Sequence, residues 1–250
     1  MNLLLPIILF SVAFIVPHNT LTGQVVVEEV APNSPASVAG IRPGDTLLSI
    51  NGKPIDNSGD IRRYVDLNLG KEITLLVQHA DASRETLRLI PRWNPPENQG
   101  AVGVLLRNSE ATIVRRSEPF WRAIPMGIGS GIETFVLFKN GIVSMFVGAV
   151  PAEVTGPVGI ARMTGEVARA GISPLLEFAA FLSINLGIIN IFPLPALDGG
   201  RIAFVLLEWL RRGKRISPKA EGRVHLIGFI LLMAFFLAVT YNDIVRIMSG

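Results

Sequence analysis

The sequence predicts a multi-pass α-helical membrane protein with an inserted α+β module held outside the membrane. Three observations carry this. Only 17% of the 250 residues are charged and the mean hydropathy is +0.45, against roughly 25% charged in an ordinary soluble domain. Apolar stretches long enough, or nearly long enough, to cross a bilayer lie at the start and in the last third of the chain. Between them, residues 23–92 change to short β-branched runs punctuated by Gly, Pro, Asn and Asp, the texture of a small sheet with its turns.

Composition also limits the chemistry. There are 23 Lys+Arg against 20 Asp+Glu, a net charge of +3. With no basic-aromatic stripe, that small excess argues against nucleic acid as a partner. The absence of cysteine excludes disulfides and thiolate sites, so any metal must be held by His, Asp or Glu. The three histidines are His18, His79 and His225.

Taken in order, Asn2–Val16 is almost wholly apolar, but about 15 residues at 1.5 Å each fall short of a roughly 30 Å hydrocarbon core. It reads as a truncated transmembrane helix (residues 1–17) or a signal peptide; the lack of a basic flank and a small-x-small cleavage site favours the helix. Val25–Val30, Thr46–Ile50 and Ile73–Gln78 read as strands, with Asn51-Gly52 as a positive-φ turn. Ser34–Ala39 and Asp60–Leu69 read as helices, the second capped by Ser58 or Asp60. Residues 93–173 hold a Pro-rich connector, a hairpin expected around Ala101–Leu106 and Ala111–Val114, and an amphipathic membrane-associated segment after Phe120. Pro174–Phe192 and Val224–Tyr241 are long and apolar enough to span. The intervening loop, residues 201–223, carries seven basic residues against Glu208 and Glu221, which places it in the cytoplasm and the module outside the cell (inner) membrane.

Two stretches carry chemistry. Ala31–Gly52, APNSPASVAGIRPGDTLLSING, resembles the bacterial, circularly permuted type of PDZ domain. That resemblance implies capture of an extended peptide by strand addition beside a helix. The second stretch, Asn185–Gly200, is NLGIINIFPLPALDGG. Pro193 and Pro195 end an apolar helix, so Asp198 is expected on irregular chain at membrane depth, where an ionisable group marks a functional site.

The Asn190–Gly200 pattern NxxPxPxLDGG resembles the second signature of the site-2 protease family of intramembrane zinc metalloproteases, in particular the regulator-of-sigma-E-protease type. Gly156–Ala161 (GPVGIA), the Ser183–Asn190 approach and a final span ending in Asn242-Asp243 agree with it. The resemblance implies zinc held by two histidines of an H-E-x-x-H helix and by Asp198. It implies Asn185 near the site holding substrate, and Asn190, Pro193 and Pro195 shaping the adjacent loop. The implied partners are a transmembrane protein substrate, such as a membrane-anchored anti-sigma factor, an extended peptide at the PDZ domain, and the lipid bilayer.

One departure matters for mechanism. No H-E-x-x-H occurs in the sequence; His18 and His79 are expected in loops and His225 on the last span, so no catalytic residues of that motif are present. The 250 residues are therefore expected to represent an N-terminally truncated member, inactive alone. The alternative is a pseudoprotease acting as a membrane-anchored PDZ peptide-binding protein. The expected division is residues 1–17, 23–92 (PDZ), 93–173, 174–200 (span with the LDG motif), 201–223 (basic loop) and 224–250 (last span and tail).

Overall fold

The computed structural model describes residues 2, 4–149, 155–211 and 216–249. In order these form α1 (Leu5–Ile15), β1 (His18–Val30), α2 (Pro35–Ala39), β2 (Thr46–Ile50), β3 (Lys53–Pro54), α3 (Ser58–Leu67), β4 (Ile73–Gln78), β5 (Arg84–Leu89) and β6 (Val104–Arg116). Five helices follow: α4 (Phe120–Phe146), α5 (Pro157–Ala170), α6 (Ile172–Ile191), α7 (Asp198–Leu210) and α8 (Pro218–Ser249). The chain divides into two compact units, Met1–Val16 with Glu118–Gly131 and Glu153–Gly250, and Pro17–Ser117 with Ile132–Ala152.

The second unit is a sheet in the order β5-β4-β2-β1-β6, with β3 paired to β2. Its core follows from period-2 burial: Ile73, Leu75 and Val77 of β4 point inward with Val25, Val27, Leu47, Leu87 and Leu89, against Ile61 and Val65 of α3. Ser34 caps α2 by accepting a hydrogen bond from Ser37 N–H, and Gly40 ends it in the left-handed region at φ 93°. Asn51 and Gly52 take φ of 50° and 76°, as the expected tight turn requires.

Several expectations are corrected here. The cap of α3 is Asn57, whose side chain accepts from Asp60 N–H while Asp60 reaches back to Asn57 N–H; Asp60 is the reciprocal partner in a capping box. No hairpin forms at residues 101–114. Val104–Arg116 is one strand paired along β1, with register shifts between Thr22 and Gln24 and between Val27 and Glu29. Glu110, at φ 53°, absorbs the polar Asn108–Glu110 stretch that reads as a turn, and Gly23 lies where a Cβ would come within 2.8 Å of Ser109 O. That close approach admits only glycine. His18 begins β1 and does not lie in a loop. The sheet thus extends beyond residues 23–92 on both sides.

In the first unit, α1 packs along α6 through Phe10, Ala180 and Ile184. Ser173 Oγ donates to Ala13 O at 3.0 Å and Ser183 Oγ to Asn2 O at 3.1 Å, tying both ends of this pair. Gly127 of α4 sits against α1 so closely that a Cβ would meet Ile7 O at 2.9 Å. Among the described residues two helices, Ile172–Ile191 and Pro218–Met248, are long and apolar enough to cross a membrane. The stretch expected as a basic loop is helical through Leu210; Arg212, Lys214 and Arg215 lie outside the described residues.

Candidate active-site loop and peptide groove

In the first unit, α6 ends at Ile191 because Pro193 and Pro195 cannot continue it. The chain then turns tightly: Leu194 N–H donates to Phe192 O at 2.7 Å and Leu197 N–H to Leu194 O at 3.2 Å. Asp198 is the first residue of α7 and is exposed. This corrects the expectation of irregular chain at Asp198. The irregular segment is residues 192–197, and the carboxylate stands at a helix N-terminus, where the helix dipole favours negative charge.

The position of Asp198 is fixed by backbone contacts to its neighbours. A Cβ on Gly199 would lie 2.2 Å from Phe192 O, and one on Gly200 would lie 2.4 Å from Leu194 O. From α8, a Cβ on Gly228 would meet Pro195 Cβ at 2.3 Å. His225, on the same helix, accepts the Ala196 N–H at Nδ1, 3.0 Å away, and so holds the left-handed residue of the turn, Ala196 at φ 78°. His225 is therefore a prop for the loop.

The other residues singled out from the sequence fall in two places. Pro193, Pro195 and Asp198 lie together in the turn and helix start, and Asn190 sits in the last turn of α6. Asn185 lies about two turns before that helix end, and its Oδ1 is buried with no hydrogen-bond partner. Among the described residues no group of three His, Asp or Glu side chains could hold a metal ion. Asp198 alone does not make a zinc site, since structural and catalytic zinc need three or four protein ligands.

A third feature of this unit is visible in the sequence only as two separate motifs. Asp243 of α8 is 5% exposed. Its Oδ1 accepts the Gly156 N–H at 3.2 Å and its Oδ2 accepts the Gly159 N–H at 2.8 Å. Gly156 is the N-cap of α5 and has no side chain to cap it. These are the N-cap and N3 amides that a capping box satisfies locally. Here one carboxylate from a distant helix serves both.

The second unit holds a cavity of about 630 Å³ between α3, the Gly100–Leu106 segment that opens β6, and the second half of α4. The volume is within the roughly 300–1,000 Å³ of ligand sites. β6 is a terminal strand of the sheet, so the Val104–Leu106 edge faces this cavity beside α3. Glu133 of α4 pairs with Lys53 Nζ at 2.7 Å and with Arg63 at 2.5 Å. Burial pushes the Glu133 carboxyl up, but the pull of Lys53 and Arg63 is larger in sum and leaves it below the ordinary carboxylate value. Neither Glu133 nor the cavity's α4 wall carries a signal in the sequence, because α4 is not part of the strand-and-turn pattern that defines the module.

In the first unit apolar helices frame a Pro-Leu-Pro-Ala-Leu-Asp-Gly-Gly turn, and the second is an α+β unit with a cavity beside its edge strand. The chain belongs to peptidase family M50, the site-2 proteases, whose family model matches residues 1–235. It is 35% identical over 225 residues to zinc metalloprotease RasP of Geobacillus kaustophilus, covering 88% of this chain and 50% of the relative. It is 34% identical over 249 residues to RasP of Oceanobacillus iheyensis, covering 99% and 58%. It is 35% identical over 220 residues to the regulator of sigma-W protease RasP of Bacillus subtilis, covering 88% and 50%. The chain thus spans between half and about three fifths of these relatives' length. Among solved structures, the PDZ domains of SdrC-like proteins from Listeria monocytogenes and Listeria innocua are similar at 20% and 21% identity. Each covers 35% of this chain, and 90% and 97% of its own, with a TM-score of 0.30.

Proposed function

We propose that this chain is the LDG-bearing and PDZ-bearing part of a site-2 zinc endopeptidase that cleaves transmembrane segments of membrane-anchored regulators, anti-sigma factors among them. Asp198 is the third zinc ligand, Asn185 assists substrate binding, and Asn190, Pro193 and Pro195 shape the loop. The site lies in the cell membrane within a multi-pass assembly, with the PDZ-like unit on the extracytoplasmic side, a reading supported by the two long apolar helices. The observation that carries the reading is the preformed turn at residues 192–200, which presents one exposed carboxylate on backbone packed too closely for any other residue at 199, 200 and 228.

The two histidines and the glutamate of H-E-x-x-H are not in these 250 residues, so the residues as they stand are expected to hydrolyse no peptide. The test is a chimaera carrying a relative's H-E-x-x-H helix fused ahead of Met1, assayed in proteoliposomes against a membrane-anchored anti-sigma factor. Zinc is measured in the same preparation. The reading expects about one zinc per chimaera and cleavage, both abolished by Asp198→Ala. Cleavage that survives Asp198→Ala would overturn the assignment. If neither zinc nor cleavage appears while the PDZ-like unit still binds peptide, the membrane-anchored peptide-binding reading, which the 630 Å³ cavity favours, takes its place.

A further inference from the structure

Helix α7 and the start of α8 pack as an antiparallel pair. A Cβ on Gly200 would lie 3.4 Å from His225 Cε1, the rings of Phe204 and His225 are 5.6 Å apart, and Glu208 Oε1 accepts the Ile216 N–H at 2.8 Å. Gly200, Phe204 and Glu208, spaced at i, i+4 and i+8, are thus the face of α7 turned to α8. Ile202, Val205, Leu206 and Trp209 recur at i, i+3, i+4 and i+7 on the other side and are exposed, Trp209 by 76%. On α8, Glu221 lies 3.9 Å from His225 Nε2 on the inner side. Lys219, Gly222, Arg223 and Leu226 lie on the outer side, all exposed, around an open notch of about 510 Å³.

Charge is sorted by side. Glu208 and Glu221 are engaged within the pair, while among the described residues neither Lys219 nor Arg223 has a carboxylate partner. Arg223 Nε donates to Lys219 O at 3.3 Å, so its guanidinium reaches back one turn toward the start of α8, the direction in which a cation snorkels out of hydrocarbon. Gly222 keeps the space beside them open, with nothing within 4 Å of where its Cβ would stand. Along the same face α8 then becomes apolar, with Leu226, Ile230 and Met233 exposed on a helix long and apolar enough to cross a membrane. Trp209 follows Glu208, which meets Ile216, and so stands near the level of the cations, where an indole suits the edge of a bilayer. Two cations, a notch and then an apolar face repeat the order of a phospholipid's phosphate, glycerol and acyl chains. A free phosphate or an acidic peptide would meet the cations and leave the apolar face uncovered.

We propose that Lys219, Gly222, Arg223 and Leu226 form a binding site for one anionic phospholipid. Lys219 and Arg223 hold its phosphate, Gly222 admits its glycerol, and Leu226 with Ile230 carries an acyl chain. Charge complementarity selects the lipid: a net negative headgroup gains from both cations, and a zwitterionic one brings its own cation and gains less. The proposal rests on the reading of this unit as embedded in the cell membrane with residues 201–223 on the cytoplasmic side.

The test places the full chain in nanodiscs of phosphatidylcholine with increasing shares of phosphatidylglycerol, and native mass spectrometry counts the phosphatidylglycerol retained on the released chain. Three variants are compared with the unaltered chain. Lys219→Gln with Arg223→Gln removes both cations. Gly222→Leu fills the notch but keeps the cations, at a position with free space and with a better helix former. Arg162→Gln with Arg169→Gln removes the same charge from exposed positions of α5. The expectation is that one phosphatidylglycerol binds the unaltered chain and the α5 variant alike, about tenfold more weakly to the double α8 variant, and at least about threefold more weakly to Gly222→Leu. Retention on the double α8 variant equal to that on the α5 variant would overturn the proposal, as would equal retention of phosphatidylcholine and phosphatidylglycerol by the unaltered chain. If the unaltered chain does not enter the nanodiscs at all, the membrane reading itself fails, an outcome distinct from the other two.

Discussion

Replacing Asp243 by alanine removes the side chain that caps α5. Two amides, Gly156 N–H and Gly159 N–H, lose their acceptor together, and the carboxylate no longer complements the positive end of the helix. Loss of an N-cap costs about 0.5–2 kcal/mol and a second buried orphan roughly 1–3, so about 3 kcal/mol is expected. For a chain of this size that corresponds to a fall in melting temperature of roughly 6–12 °C. Asp243→Asn keeps one acceptor oxygen and loses the charge, so about half that fall is expected. Gly156→Ala and Gly159→Ala should resemble the alanine variant, since their Cβ atoms would lie 2.7 Å and 3.2 Å from Asp243 Oδ2. Melting in detergent gives the total. Amide hydrogen exchange at Gly156 and Gly159 gives the location, with protection lost there first. A melt within about 1 °C of the unaltered chain, against the several degrees expected, with protection of those amides intact, would show that the capping contact does not hold α5.

Other outcomes are expected for both units. His79 hydrogen-bonds to Asp45 at 2.9 Å and Glu85 at 3.2 Å, which raise its pKa above the ordinary 6.5. Its protonated form therefore stabilises the fold fully below about pH 6.5, and the contribution disappears as pH rises through the raised value. His79→Gln should flatten the pH dependence of melting across that window, and an unchanged profile would remove His79 as its source. Asn57→Ala breaks the capping box of α3 and should cost about 1 kcal/mol, or roughly 2–4 °C; a smaller effect than that of the exposed control Lys71→Ala would count against the cap. His225→Leu leaves the Ala196 N–H without its acceptor, at about 1–3 kcal/mol, and faster exchange of the Ala196 amide is the specific sign. Normal protection there would mean the turn holds itself.

What is legible in the sequence is local. Strands Thr46–Ile50 and Ile73–Gln78 have the expected bounds, because alternation and Asn-Gly chemistry act within a few residues. Ser34, Pro35 and Gly40 set the limits of α2 for the same reason. β5 (RETLRL) gives no such signal, since four of its six side chains are exposed and its polar composition masks a strand held by pairing to β4. β6 has the composition of a hairpin because its polar centre resembles a turn, and only the long pairing with β1 overrides it. The proline break and Asp198 are legible, but the start of a helix at Asp198 is not, since Gly199 and Gly200 argue against helix by propensity. Their presence is explained by tertiary contact: the carbonyls of Ile191, Phe192 and Leu194 leave no space for a Cβ.

The same logic links pieces of the family pattern that the sequence presents as unrelated. GPVG at residues 156–159 and Asp243 lie more than 80 residues apart, yet each is needed by the other: glycine because a side chain would displace the carboxylate, and the carboxylate because glycine cannot cap. Gly228, His225 and the Pro193–Ala196 turn form a second such set, with α8 contributing one space and one acceptor to hold a loop it does not adjoin in sequence. In both sets α8 is the fixed element and a glycine-dependent backbone is what it positions. The backbone that carries Asp198 is therefore placed by contacts within the chain. As the proposed third zinc ligand, Asp198 would for that reason lose less conformational freedom on coordination than a residue ordered by the ion itself. Disturbing α8 at residue 225, 228 or 243 should therefore be felt at the turn of residues 192–197 and at α5 before it is felt in the sheet, and comparing exchange at Ala196 and Gly159 with exchange at Leu75 distinguishes the two orders.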